Sequence, residues 1–79
     1  LDQNFSVFPV PASQTLYAQV NGLDILAYQI SDIQGRQVAS AQNLSLPVLA
    51  LPIQDFKAGV YFISVETQYG QVQREFVIE

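Results

Sequence analysis

The last third of the chain has the pattern of a β-hairpin, and this feature restricts the fold most. Residues 59–67 are rich in β-branched and aromatic side chains, which favour a pleated, half-buried strand over a helix. Tyr69 and Gly70 separate this run from residues 71–79 at the spacing of a two-residue loop. That loop predicts four cross-strand pairs, which are Thr67–Val72, Val65–Arg74, Ile63–Phe76 and Tyr61–Ile78. Because a lone hairpin is marginal in water, the rest of the chain must cover its apolar face.

The remaining sequence predicts five more short strands separated by turn residues. They are Phe5–Phe8, Leu16–Val20, Ile25–Ser31, Arg36–Ala41 and Val48–Leu51. A helix over the apolar stretch from Leu44 to Leu51 is disfavoured because Pro47 would break its hydrogen bonding. Seven short strands without helical periodicity predict one all-β domain over residues 1–79, an antiparallel β-sandwich. Its expected core consists of Tyr28, Ile30, Val38, Tyr61, Ile63, Val65, Phe76 and Ile78.

Four residues are expected to shape turns, namely Asp32, Gly35, Gly59 and Gly70. Asp32 to Gly35 fits a type I turn, in which an Asp side chain at the first position bonds backbone amides. Each of the three glycines follows a polar or small residue and precedes a strand. A positive φ or a tight corner is the expected reason for glycine at these positions.

Composition argues against most chemical functions. The net charge is −4, and only Arg36, Lys57 and Arg74 are basic, so nucleic acid and anionic membranes are poor partners. Histidine and cysteine are absent, and no serine lies in a Gly-x-Ser-x-Gly sequence. We therefore expect no enzyme activity, no cofactor and no metal. The chain also lacks an initiator Met and an apolar leader, which predicts a piece of a longer protein.

Aromatic residues and Arg74 leave alternatives open. Tyr17, Phe62 and Tyr69 are candidates for exposed rings of a carbohydrate-binding face. The favoured interpretation is structural, with Tyr17 and Phe62 covering other core and Tyr69 capping a turn. Arg74 is predicted on the hairpin's apolar face, with its stem on that surface and its guanidinium at the rim. A carboxylate of the same chain and one of a partner are both possible contacts for it.

Four segments together resemble the C-terminal sorting domains of the bacterial type IX (Por) secretion system. Phe5–Ala12 is similar to the family's opening aromatic and Pro-Asn-Pro motif, with Val10 in place of Asn. Tyr28–Val38 resembles its central strand, Asp-x-x-Gly turn and next strand. Leu51–Ile63 is similar to its leucine, spacer and Gly-x-Tyr motif, and Arg74–Ile78 to its final strand. The chain then ends on Glu79, where the family often has a basic residue.

This resemblance implies an immunoglobulin-like sandwich that performs no chemistry. Such domains follow a cargo protein and direct it through the periplasm and across the outer membrane of Bacteroidota. The implied partners are the outer-membrane translocon and a sortase-like protease that removes the domain. The cargo then becomes secreted or attached to the cell surface.

The final strand is the expected recognition element because a chain-end strand can extend a partner's sheet. Its candidate residues are Arg74, Glu75, Val77 and Glu79. The first and last strands are also the expected sheet edges, so a strand-mediated homodimer is predicted at high concentration. The alternative function is an accessory module of an extracellular enzyme, which binds glycan or acts as a spacer.

Overall fold

Over residues 4–79, which the computed structural model describes, seven strands form two antiparallel sheets. The strands are β1 (Phe5–Phe8), β2 (Thr15–Val20), β3 (Ala27–Asp32), β4 (Gln37–Ala41), β5 (Leu49–Pro52), β6 (Gly59–Thr67) and β7 (Gly70–Ile78). One sheet has the order β1-β2-β5 and the other has the order β4-β3-β6-β7. The predicted all-β sandwich is confirmed. No helix in the described part of the chain has the length and hydrophobicity needed to cross a membrane.

The core lies between the two sheets and is built from alternate residues of their strands. In β2 the inward residues are Leu16, Ala18 and Val20, and all three are buried. On β6, β7 and β3 the buried residues include most of the expected ones, which are Ile30, Tyr61, Ile63, Val65, Phe76 and Ile78. Fully burying a side chain of this size contributes about 1.5–3 kcal/mol relative to leaving it exposed.

The predicted hairpin of β6 and β7 has the right faces but the wrong register. Thr67 pairs with Gly70, so the loop residues are Gln68 and Tyr69 rather than Tyr69 and Gly70. The Thr67 side chain explains this choice, because its Oγ1 accepts a hydrogen bond from the Tyr69 N–H at 3.1 Å. The same hydroxyl donates to the Gly70 carbonyl at 3.2 Å. The register differs by two residues, which keeps every side chain on its predicted face.

Two expectations for β3 and β4 are wrong. β3 begins at Ala27, while Ile25 forms an isolated bridge with Leu46. Val38 was expected in the core, but it is 43% exposed. A register shift between Ile30 and Ser31 aligns Ala39 with Ile30, so Ala39 packs against the core instead. Tyr28 is half-buried at the margin of the core.

The loop between β3 and β4 is organised by Asp32. The Gly35 N–H donates to the Asp32 carbonyl at 2.9 Å, and Gly35 has a φ of 87°. The Asp32 Oδ1 accepts hydrogen bonds from the N–H groups of Gln34 and Arg36 at 2.9 and 3.0 Å. This pattern is that of a three-residue hairpin loop that ends in a left-handed glycine. Gly59 and Gly70, the other two turn candidates, have φ values of 150° and 124°.

Candidate recognition surface

β7 lies at one edge of the four-stranded sheet, and its side chains alternate between the core and solvent. Val72, Phe76 and Ile78 point into the core. The opposite face carries exposed side chains, which are Gln71, Gln73, Glu75 and Val77. Of the predicted recognition residues, Glu75, Val77 and Glu79 are therefore exposed, while Arg74 lies on the inner face. Sequence reasoning missed Gln71 and Gln73, although their alternation with Val72 was the signal that places them outside.

The outer edge of β7 is covered at its end by Ala12. The Ala12 N–H donates to the Val77 carbonyl at 2.8 Å, and the Ala12 carbonyl accepts from the Glu79 N–H at 2.8 Å. These bonds form a parallel bridge between Ala12 and Ile78. Val77 and Glu79 therefore direct their main-chain groups away from β6. The final two residues of the chain are consequently already paired within the domain.

A shorter stretch of the same edge stays open. Main-chain groups in an antiparallel strand alternate between the two sides, so Gln71, Gln73 and Glu75 point theirs in the same direction as Val77. Within residues 4–79, no backbone group bonds the outward N–H and C=O groups of these three residues. The open edge, Gln71–Glu75, is the part of β7 that can accept another strand.

Arg74 links the two sheets beside this open edge. One Nη of its guanidinium donates to the Phe5 carbonyl at 2.7 Å, and its Cζ lies 5.5 Å from the centroid of the Phe5 ring. Phe5 belongs to β1, the edge strand of the other sheet. A charged side chain over an edge carbonyl hinders another strand from pairing there. Arg74 therefore covers part of the β1 edge, whereas no backbone group between residues 4 and 79 pairs with the β7 edge at Gln71–Glu75.

The outer face next to the open edge is polar at one end and apolar at the other. Gln71 pairs with Glu66 and Gln73 with Ser64, whereas Val77 pairs with Val60. The polar end continues into a shallow depression of about 180 Å³ on the four-stranded sheet. Its lining is rich in amides and hydroxyls and includes Gln29, Gln37, Ser40, Gln42, Ser64, Glu66 and Gln71.

The charges of this face are all negative. Glu66 and Glu75 lie on it and Glu79 lies at its margin. The three cations lie elsewhere: Arg36 is in the β3–β4 hairpin, Lys57 in the loop before β6, and Arg74 on the inner face. A partner with basic or amide donors is the electrostatic complement of such a surface.

Asp32 has a perturbed ionisation within a local ion pair. Burial disfavours its charged form, but hydrogen bonds from the Arg36 N–H and guanidinium and from the Gln34 N–H outweigh this and lower its pKa. The Arg36 Nε lies 2.8 Å from the Asp32 Oδ2. All these partners are within the loop itself, so the shifted pKa reflects turn formation rather than a site for catalysis.

Residues 4–79 contain no cluster of three or more side chains that would ligate a metal ion. Every buried side-chain nitrogen or oxygen atom in this range has a hydrogen-bond partner. The features that distinguish this surface are its open edge and its negative charge.

A family comparison supplies the identity of the domain. The family model for the secretion system C-terminal sorting domain matches residues 6–79. The chain belongs to this family of type IX secretion sorting domains. The resemblance inferred from the four motifs is thus confirmed. No curated protein matches the chain at a significant level.

The motifs of this sorting domain occupy defined places in the sandwich. The opening motif forms β1 and then leads through Pro9–Pro11 to Ala12, which forms an isolated bridge with Ile78 of β7. Asp32 begins the loop between β3 and β4, and Gly59 begins β6. The first three motifs therefore coincide with a change of chain direction or with the start of a strand, whereas the fourth, Arg74–Ile78, forms the second half of β7.

Proposed function

We propose that this domain is a non-catalytic signal that directs a preceding cargo protein through type IX secretion across the outer membrane. Membership of the sorting-domain family supports a cargo handled by this machinery and delivered outside the cell. In this proposal the translocon reads the folded domain in the periplasm. A sortase-like protease then removes the domain, and the cargo is released or attached to the surface of a Bacteroidota cell.

The observation that carries the recognition step is the open edge Gln71–Glu75 beside an acidic outer face. A partner strand that extends the four-stranded sheet gains main-chain hydrogen bonds along this edge. Glu75 and Val77 supply the side-chain specificity, since both point outward there. Phe76 and Ile78 stay in the core, and Ala12 holds the end of β7. Recognition therefore requires no unfolding.

The test fuses residues 1–79 to the C-terminus of a periplasmic reporter in a type IX-competent host. Gln73→Pro removes one outward N–H and places a ring at the open edge, while the β6–β7 bonds do not use that N–H. Gln73→Thr is the matched control because it changes the side chain and keeps the N–H. We expect Gln73→Pro to reduce export strongly and Gln73→Thr to leave it near the parent level.

Single changes at Glu75 and Val77 complete the test, with the melting temperature of every variant measured. Reduced export at unchanged melting temperature supports side-chain recognition on this face. Export that is equal for Gln73→Pro and Gln73→Thr rules out strand addition at the open edge. A reporter that stays periplasmic with the unaltered domain attached contradicts the signal function itself and favours an accessory module.

A further inference from the structure

The outer face of the three-stranded sheet displays a stacked aromatic pair. Phe8 on β1 pairs with Tyr17 on β2, which in turn pairs with Ala50 on β5, so the three residues form one row across the sheet. The ring centroids of Phe8 and Tyr17 are 5.6 Å apart, with an interplanar angle of 21°. Phe8 is 42% exposed and Tyr17 is 39% exposed. Ala50 continues the row with only a methyl group, so the surface beside the Tyr17 ring is recessed relative to that ring.

Neutral hydrogen-bonding side chains surround this pair. Ser6, Thr15 and Gln19 lie two residues from the rings along β1 and β2, and the alternation of the strands puts them on the same face. Their side chains make no hydrogen bond to any residue between 4 and 79. Their donors and acceptors are therefore available to a ligand.

In the part of the chain that the structure describes, the strands of this face carry no charged side chain. The segments that form β1, β2 and β5 contain no Asp, Glu, Lys or Arg, although the chain has a net charge of −4. An acidic or phosphorylated ligand would find no cation here, and a cationic ligand would find no carboxylate. A neutral ligand is the electrostatic match for this face.

Its size argues against a protein partner. Three strands about 4.8 Å apart, followed over four residues at about 3.3 Å each, cover roughly 200 Å². A stable protein–protein interface needs about 800 Å² from each partner, so this face alone is too small for a second copy or another protein. It is large enough for a short stretch of a linear polymer that lies across the row.

We propose that this face binds a neutral glycan. The C–H face of a sugar ring packs on the aromatic pair, whose π-systems are negative above the ring plane. The sugar hydroxyls exchange hydrogen bonds with Ser6, Thr15 and Gln19. Such binding is separate from sorting, because the open edge and the acidic face belong to the other sheet.

The experiment measures migration of the purified domain in native gels that contain hydroxyethylcellulose, glucomannan or laminarin. Anionic polygalacturonate serves as the charged comparison. We expect retardation by at least one neutral polymer and none by polygalacturonate. Tyr17→Ala should weaken the retardation at least ten-fold. Tyr69→Ala is the matched control, since Tyr69 is 72% exposed on the β6–β7 loop, away from this face, and its loss should change nothing.

A second variant separates folding from binding. Ala50→Glu retains both rings and adds bulk and charge beside Tyr17, so it should also weaken binding at least ten-fold while the melting temperature stays close to the parent value. The proposal is overturned if no neutral polymer retards the domain, or if Tyr69→Ala acts as strongly as Tyr17→Ala. It is also overturned if Tyr17→Ala abolishes reporter export while the parent domain binds none of the polymers, because the face then serves the secretion machinery.

Discussion

Truncating Tyr61 to alanine should remove a large share of the stability of this domain. The Tyr61 ring lies between those of Phe56 and Phe76, with centroid distances of 5.7 and 5.8 Å, and the residue is only 8% exposed. Removing a buried aromatic side chain costs about 3–5 kcal/mol. The total stability of such a domain is ~5–15 kcal/mol. We therefore expect Tyr61→Ala to remove between about one fifth and all of that stability.

The hydroxyl of Tyr61 contributes a separate, smaller part. It donates to the Lys57 carbonyl at 2.7 Å. One such hydrogen bond contributes about 0.5–1.5 kcal/mol, and the low end applies here because Lys57 is exposed and water can replace the lost donor. Tyr61→Phe should accordingly lower the free energy of unfolding by only a fraction of the amount that Tyr61→Ala removes.

Urea unfolding followed by circular dichroism measures both variants, and Phe62→Ala is the matched control. Phe62 is the next residue on β6, but it points to the opposite face, is half-buried and pairs with Glu75. Its truncation should cost roughly 1 kcal/mol, the typical effect of a single substitution. If Tyr61→Ala and Phe62→Ala lower the free energy of unfolding equally, the argument that β6 packs its Tyr61 face into the core is refuted.

Four further outcomes are expected. Gly35→Val should lower the free energy of unfolding, measured in urea, by about 1–3 kcal/mol more than Gln34→Val. The cost comes from the φ of 87° at Gly35 alone, because an added Cβ would meet no atom within 4 Å. Equal costs for the two variants would contradict this. Asp32 has a lower pKa in the folded protein than in the unfolded chain, where it is about 4. The stability that the ionised Asp32 contributes is therefore present above about pH 4 and is lost as the pH falls through the pKa of the folded protein. The stability difference between the parent and Asp32→Asn should therefore shrink below about pH 4, and a difference independent of pH would refute the ionic origin. Arg74→Met keeps the stem and loses the bond to the Phe5 carbonyl, so amide hydrogen exchange in β1 should accelerate; unchanged protection would show that this bond does not hold β1. Strand-mediated dimers should form through the open edge of β7 at high concentration, and light scattering that shows only monomer up to about millimolar concentration would exclude them.

The strands and their faces could be predicted from sequence because alternation directly reports which side of a strand is apolar. Alternation could not choose between two registers of the β6–β7 hairpin, since both put Ile63 and Phe76 on the same face. The choice depends on one hydroxyl, that of Thr67, which bonds the loop backbone. Val38 was misplaced for a related reason. A register shift after Ile30 changes which residue of β4 faces inward, and no periodic pattern encodes it.

The candidate surface was predictable only in part, because two long-range contacts decide its extent. Ala12 reaches Val77 and Glu79 from the other end of the chain, and Arg74 reaches the Phe5 carbonyl across 69 positions of sequence. Neither contact has a local signal, so the whole final strand was expected to be free. With Ala12 in place the chain terminus is paired and the open edge moves toward the hairpin loop. A partner strand must therefore enter at Gln71–Glu75, where a proline at position 73 tests it most directly.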